Sequence, residues 1–394
     1  TGASGPVTAR LRAHPIWPAV ARILALLVAA ACAARDDGAV LDHPPVFIVG
    51  QDLRAIRGYL ASGCCPRPDG LTAYLSFFGL RSEAAGYGGV GFDNAGEPLA
   101  GEHSWGSGPV DARKTATAFG VGDLAIGLHL IDTVGFASLD QLIAGEYDAN
   151  VDKLLELFAL VEGTVYLRIG YEFDGAWNAA YADTTRYVAA YRHIVETIRS
   201  RDPDNVRFVW HASASPVDDV LDGHRENIAR FYPGNEYVDW FAFSWFHHPD
   251  ARPSVRVDHR PATPRELADE VLTMARTVGK PVMIAEAAPQ GFDLSRLSRR
   301  SISPVWDGDA GTGTTDVSTD EIWRAWYEPL FRLMNDNRDI VRALAYINCD
   351  WDAQPMWGPP YAAGYWGDSR LQVNPRLAER FSREVADWKA GFRQ

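Results

Sequence analysis

From about residue 42 onward the chain alternates between two hydrophobic patterns. Eight short runs rich in β-branched and aromatic residues, at 46–50, 72–78, 124–130, 164–172, 206–211, 240–246, 282–286 and 343–350, read as strands. Between them, 151–161, 185–199, 264–278 and 320–334 carry apolar residues three and four positions apart, the repeat of one helix face. Asp320 after Thr319 offers capping chemistry for the last of these, and Pro375 opens a final helix. Strand and helix alternating over about 350 residues predict a parallel sheet, and eight units predict its closure. The fold class expected is therefore α/β, a (β/α)₈ TIM barrel forming a single domain over 39–394. A doubly wound sheet is the rival, but no Gly-rich nucleotide loop follows the first run.

Residues 1–38 read differently. Arg10, Arg12 and Arg22 precede an apolar stretch at 23–34, and Asp36 and Asp37 follow it. That is the pattern of a secretory signal peptide, and the stretch is shorter than the ~20 apolar residues a bilayer span needs. No transmembrane span is expected. Cys32 after Ala29, Ala30 and Ala31 resembles a lipoprotein cleavage site, so two readings stand: a lipid anchor at Cys32, or free secretion. Either makes the protein exported, secreted or held at the cell envelope.

Composition narrows the partners. A net charge of −13 with no Lys/Arg-rich stripe argues against nucleic acid, whose phosphates need a basic surface. The 13 tryptophans and 15 tyrosines supply flat apolar faces that stack on sugar rings as well as in cores. A neutral polysaccharide or oligosaccharide fits, with the protein acting as a monomer. Beyond Cys32, only Cys64, Cys65 and Cys349 remain, too few for a disulfide framework. One bridge to Cys349 and three buried thiols are both open. No Cys or His spacing suits zinc, and His247-His248 lacks a carboxylate at useful spacing, so neither metal nor cofactor is expected.

The fourth run holds the most chemistry. Strand alternation places Arg168, Gly170 and Glu172 on one face, opposite Leu167 and Ile169. The outer face of a barrel packs on helices, so the charged face is the lumen. Inward Arg and Glu are costly unless paired or functional. The seventh run ends in the same way, with Val282, Ile284 and Glu286 on a shared face. Two carboxylates at the ends of strands four and seven would face each other across one mouth, the arrangement glycoside hydrolysis requires. Two long connections, 79–114 with Trp105 and 287–319 with Trp306, also follow strands and would stand over that mouth.

On these residues the chain resembles a glycoside hydrolase of the (β/α)₈ clan with catalytic glutamates on strands four and seven. It is most similar to the family 26 group of endo-β-mannanases, β-1,3-xylanases and mixed-linkage glucanases. Arg168, Glu172, Gly175 and Trp177 match that group's Arg–x–x–x–Glu–x–x–Gly–x–Trp segment; the run from Tyr232 to Trp240 matches its entry into strand six, and Pro281 to Glu286 its nucleophile strand. The resemblance implies a retaining hydrolase of β-linked polysaccharide, β-mannan by default, with Glu172 as acid/base and Glu286 as nucleophile. Arg168 would stabilise the ionised Glu286.

Three departures fall close to the chemistry. Tyr171 stands where the group has His, Trp245-Phe246 stands where it has a nucleophile-bonding Tyr, and Ala287-Ala288 replaces Phe-Gly. Phe cannot donate a hydrogen bond, so Glu286 needs another partner, Arg168 being the candidate. Substrate contacts are expected from Arg168, Tyr171, Trp177, His129, His211, Trp245, Asn348 and Trp351. The alternative is a non-catalytic glycan-binding barrel of the same fold. A metal-dependent barrel hydrolase would call for His–x–His at the end of strand one, and 46–50 has none.

Overall fold

The computed structural model describes residues 43–80, 87–88, 103–104, 106–131, 138–221, 223, 225, 227–247, 260–300, 313–361 and 364–392. The expected signal segment with Cys32, and also Trp105, Trp306 and His248, lie outside the described residues.

Eight parallel strands close into a barrel: β1 (Val46–Gly50), β2 (Gly70–Ser76), β3 (Asp123–His129), β4 (Val165–Ile169), β5 (Val206–Ala212), β6 (Trp240–Trp245), β7 (Val282–Ala287) and β8 (Val341–Ile347). Each strand pairs with its sequence neighbours, and β8 closes on β1 with Val46 opposite Ala343 and Gly50 opposite Ile347. All eight predicted runs are barrel strands. Helices α1 (Leu53–Ser62), α2 (Ala112–Thr117), α3 (Asp148–Phe158), α4 (Thr184–Arg199), α5 (Pro264–Val278), α6 (Glu328–Asp336) and α7 (Pro375–Ala390) pack outside. Among the described residues, the short turns Asp218–Leu221 and Ile228–Phe231 follow β5.

The helices begin where local chemistry favours it. Thr263 caps α5 in a reciprocal box with Glu266, Pro264 follows at the first turn, and Gly279 ends the helix in the left-handed region. Such a cap stabilises by ~1 kcal/mol. The helix expected at 320–334 starts at Thr319 instead, because Ser318 and Glu321 form the capping box, and it passes through a π turn at Trp323–Tyr327 before α6.

The barrel interior divides into two zones. Its lower part is filled by Val46, Ile48, Ala125, Tyr166, Val209, Trp240, Ala242, Met283, Ala285, Ala343 and Ala345, with the Tyr166 and Trp240 rings edge to face at 5.2 Å. The opposite alternating set, including Leu167, Ile169, Phe241, Phe243, Val282 and Ile284, packs outward on the helices. This apolar plug closes the lower barrel, and Arg168, Tyr74, His211 and Ser244 point inward toward the C-terminal mouth, where barrels of this kind carry their sites.

Candidate active site

Glu172 and Glu286 both reach this mouth, though neither by strand alternation alone. On β7, Met283 and Ala285 face the lumen while Val282 and Ile284 face the helices. The expected shared face of Val282, Ile284 and Glu286 is therefore not formed. An extra residue in β7 shifts its register against both neighbours: Phe243 pairs Ile284 but Ser244 pairs Glu286, and Leu344 pairs Ile284 but Tyr346 pairs Ala287. This bulge turns Glu286 inward.

Strand β4 ends at Ile169, three residues before Glu172. Gly170 and Glu172 both have positive φ, 55° and 51°. A non-glycine residue held there costs about 1–2 kcal/mol, so its surroundings must compensate. Phe173 is buried against Trp210, Phe231 and Tyr187. Asp174 accepts from the Ser213 N–H (2.6 Å) and from Ser213 Oγ (3.1 Å). Asn178 Nδ2 donates to the carbonyls of Tyr171 (3.2 Å) and Glu172 (2.8 Å). Together these contacts fix the turn that aims Glu172. The Trp177 ring lies directly over Gly175, where a Cβ would sit 2.4 Å from the indole, so the Gly–x–Trp spacing is a steric requirement.

The two carboxylates have different partners. Glu286 Oε1 accepts from Arg168 Nη1 at 2.6 Å and from the Tyr74 hydroxyl at 2.9 Å. Among the described residues nothing bonds its Oε2. Arg168 is fully buried, with Tyr74 and Tyr171 rings 5.2 and 5.4 Å from its guanidinium carbon. Gly127 opposite leaves the room: a Cβ there would meet the Tyr74 ring at 2.6 Å and Arg168 Nη2 at 3.1 Å. Glu172 Oε1 accepts from Ser244 Oγ (2.7 Å) and Oε2 from Trp177 Nε1 (3.1 Å), both neutral donors. Burial first, and the nearby Glu286 second, push the Glu172 carboxyl up to about 8. Burial and charge thus favour the protonated form of one carboxyl, beside a second that is paired with a buried cation.

The remaining predicted residues divide. Tyr171 stacks on His211 (6.3 Å, 23°) and lies 6.3 Å from His129 and 5.5 Å from Tyr74, ring to ring. His211 is buried between Arg168 and Ser244, and its burial and the Arg168 charge hold it well below the usual imidazole range. Burial also lowers His129, to about 4. Trp177 is 47% exposed, the only large aromatic among the described residues so open. Three expectations are corrected. Trp245 points outward with Phe243 and joins the layer under the helices. Asn348 spends its side chain on Gln372 and on the Leu371 N–H, holding the segment before α7. Trp351 is buried against Trp366 and Trp357, with its indole N–H on Ser369.

Tyr74 and Ser244 were not expected. Each shares a lumen face that the sequence displays, Thr72-x-Tyr74-x-Ser76 and Trp240-x-Ala242-x-Ser244, and hydroxyls on an inward face were the available signal. Tyr74 supplies from β2 the hydroxyl missing from the end of β6. Cys64, Cys65 and Cys349 are free thiols, and Cys349 is buried. Among the described residues no group of three His, Cys, Asp or Glu is arranged to hold a metal ion, and no helix is long and apolar enough to cross a membrane.

A closed (β/α)₈ barrel presents a glutamate at its mouth from each of its fourth and seventh units, and with the relatives that follow this makes the chain a glycoside hydrolase. No family model matches the chain. A β-1,3-xylanase of Vibrio sp is 29% identical over 376 residues, 94% of this chain and 72% of that protein. A second β-1,3-xylanase, of Alcaligenes sp, is 28% identical over 92% of this chain and 68% of its own length. The catalytic domain of a GH26 endo-β-1,4-mannanase from Bacillus sp. JAMB-750 aligns with a TM-score of 0.50 at 15% identity, covering 88% of this chain and 89% of that one, a likeness of fold. The resemblance read from the sequence and the barrel it implied are both borne out.

Proposed function

We propose that the protein is a retaining, endo-acting hydrolase of a β-linked polysaccharide, with residues 39–394 as one catalytic barrel. The carrying observation is the unequal pair: Glu172, bonded by the neutral donors Ser244 and Trp177, beside Glu286, clamped on one oxygen by Arg168 and Tyr74. A structural ion pair accounts for Glu286 and Arg168 but not for a second, uncompensated carboxyl next to them, which costs stability and needs another reason.

In this reading Glu172 gives its proton to the glycosidic oxygen as that bond breaks. Glu286 attacks the anomeric carbon through Oε2, while Arg168 and Tyr74 hold Oε1. The covalent glycosyl-enzyme then yields to water, from which Glu172 takes a proton and so regains its starting state. Trp177 offers an exposed ring to the leaving-group sugar, and Tyr171 packs beside Arg168 and His211. Because both sequence relatives spanning most of the chain are β-1,3-xylanases, β-1,3-xylan is the first substrate to try, ahead of β-mannan.

The test is reducing-sugar release and product sizing on β-1,3-xylan, β-mannan and mixed-linkage glucan, for wild type, Glu286→Ala and Glu172→Ala. Activity on one of them, yielding a spread of oligosaccharides and lost in both variants, is expected. Activity surviving both substitutions would overturn the assignment.

A further inference from the structure

The two glutamates are joined by one line of hydrogen bonds. Arg168 Nη1 bonds Glu286 Oε1 (2.6 Å) and also contacts His211 Nδ1 at a longer 3.5 Å. His211 Nε2 bonds Ser244 Oγ (3.1 Å), and Ser244 Oγ bonds Glu172 Oε1 (2.7 Å). Donor and acceptor roles along this line follow from what each group can do. A guanidinium only donates, so Nδ1 of His211 accepts. A neutral imidazole then carries its hydrogen on Nε2, which donates to Ser244. The single Ser244 hydrogen is left to point at Glu172 Oε1. At the other oxygen, the Trp177 indole also only donates.

We infer that His211 and Ser244 are positioning residues that keep Glu172 Oε1 an acceptor throughout the cycle through a short bond from a buried donor, leaving Oε2, whose indole donor is longer (3.1 Å) and on an exposed side chain, to carry the transferable proton. This rests on the reading of Glu172 as acid/base. The line orients and does not conduct. When the Oε2–H bond breaks and the proton goes to the leaving oxygen, Ser244 keeps its hydrogen and His211 stays neutral. When water attacks, its proton returns to the same Oε2. A polarity reversal along the line would set the His211 Nδ1–H against Arg168, two donors face to face. His211 is fully buried, so its part is played behind the site rather than on the sugar, as the sequence had suggested.

The charged and titratable groups around Glu172 and His211 come from several elements: Glu286 on β7, Arg168 on β4, Asp174 and Tyr171 beside Glu172, and Tyr74 on β2. Ser244 is the neutral member whose removal leaves those charges in place. Its bond favours the ionised form of Glu172, so losing it should raise the alkaline limb of the kcat/KM profile.

The experiment compares pH profiles of kcat and KM on the cleaved polysaccharide for wild type, Ser244→Ala, Ser244→Thr, His211→Phe and the Ser244→Ala/His211→Phe double variant. Ser244→Ala should move the alkaline limb up by about one unit and lower kcat about tenfold with KM unchanged, as loss of a hydrogen bond to a charged group implies. Ser244→Thr, which keeps the hydroxyl, should restore the wild-type limb. His211→Phe should shift the limb less, and the double variant should match Ser244→Ala, because His211 acts only through the serine. An unmoved limb in Ser244→Ala, or independent effects that add in the double variant, would overturn the inference. Glu172→Ala separates the two levels: if it leaves cleavage intact the acid/base reading fails, whereas if it abolishes cleavage while Ser244→Ala keeps the wild-type limb, only the positioning role fails.

Discussion

The ends of β4 and β7 deliver the same side chain to the same mouth by opposite means. At β7 the glutamate stays within the sheet and an extra residue turns it inward, onto a buried arginine. At β4 the strand has already stopped, and a left-handed turn braced by Phe173, Asp174 and Asn178 carries Glu172 out to two neutral donors. One carboxyl is paired with a buried cation, and the other is bonded by neutral donors and pushed upward by burial. The contrast teaches that two identical side chains are set apart by their surroundings, which is what the proposed division of roles needs.

The largest effect should come from exchanging the roles' dependence on substrate. Glu286→Ala is expected to lower kcat on the order of 10⁴-fold or more on every substrate, since in the proposed mechanism it alone forms the covalent intermediate. Glu172→Ala should cost about 10²–10⁴-fold on polysaccharide, but far less in bond cleavage with an aryl glycoside whose leaving group needs no proton. Steady-state and burst kinetics on the two substrates check this. Equal losses on both would erase the distinction between the sites.

Stability should separate them next. Arg168→Met strands the buried Glu286 carboxylate without its cation, a kind of change that costs about 3–5 kcal/mol. Urea unfolding of the variant at pH 7 reads that loss, and adding Glu286→Gln should recover part of it. Glu172 behaves in the opposite sense. Its folded pKa of about 8 lies above its ordinary 4.5, so the folded state binds the proton more tightly than the unfolded chain. Below pH 4.5 both states are protonated and nothing is lost; between 4.5 and 8 the folded state progressively loses that advantage. Glu172→Gln should therefore melt higher than wild type above pH 8, by a few kcal/mol at most, with the gap closing toward pH 4.5.

The sequence made the barrel legible because a β/α alternation is periodic, and period is what a one-dimensional pattern carries. It also brought both glutamates and Arg168 to the mouth. Where it failed, the cause was a break in period. The bulge at Ala285–Glu286 turns Glu286 to the face opposite Val282 and Ile284, and an inserted residue leaves no mark in an apolar run. Trp245 was assigned by its place in the resemblance, whereas β6 alternates Trp240, Ala242 and Ser244 inward and sends Trp245 out. Asn348 looked like a sugar ligand because the eighth run was read through to 350, but β8 ends at Ile347 and the amide beyond it braces the chain entering α7. Tyr74 shows the converse. A hydroxyl absent from one strand was supplied by another, and only closure of the barrel brings β2 and β7 to the same carboxylate.

The smallest expected effect tests whether the Glu172 side of the mouth depends on an aromatic face or on a hydrogen bond. Trp177 offers both: an exposed ring and an N–H on Glu172 Oε2. Trp177→Phe keeps most of the ring and removes the donor; Trp177→Ala removes both. The indole bond favours ionised Glu172, so Trp177→Phe should raise the alkaline limb by a few tenths of a unit, less than a fully buried donor would, with KM little changed. Trp177→Ala should add a several-fold rise in KM, since sugar stacking on an open ring is worth about 1 kcal/mol. The β7 side predicts neither shift, because Trp177 has no bond to Glu286. A Trp177→Phe variant that raises KM as far as Trp177→Ala would mean that the indole N–H also meets the sugar, and the two ends of the mouth would then differ less than their geometry implies.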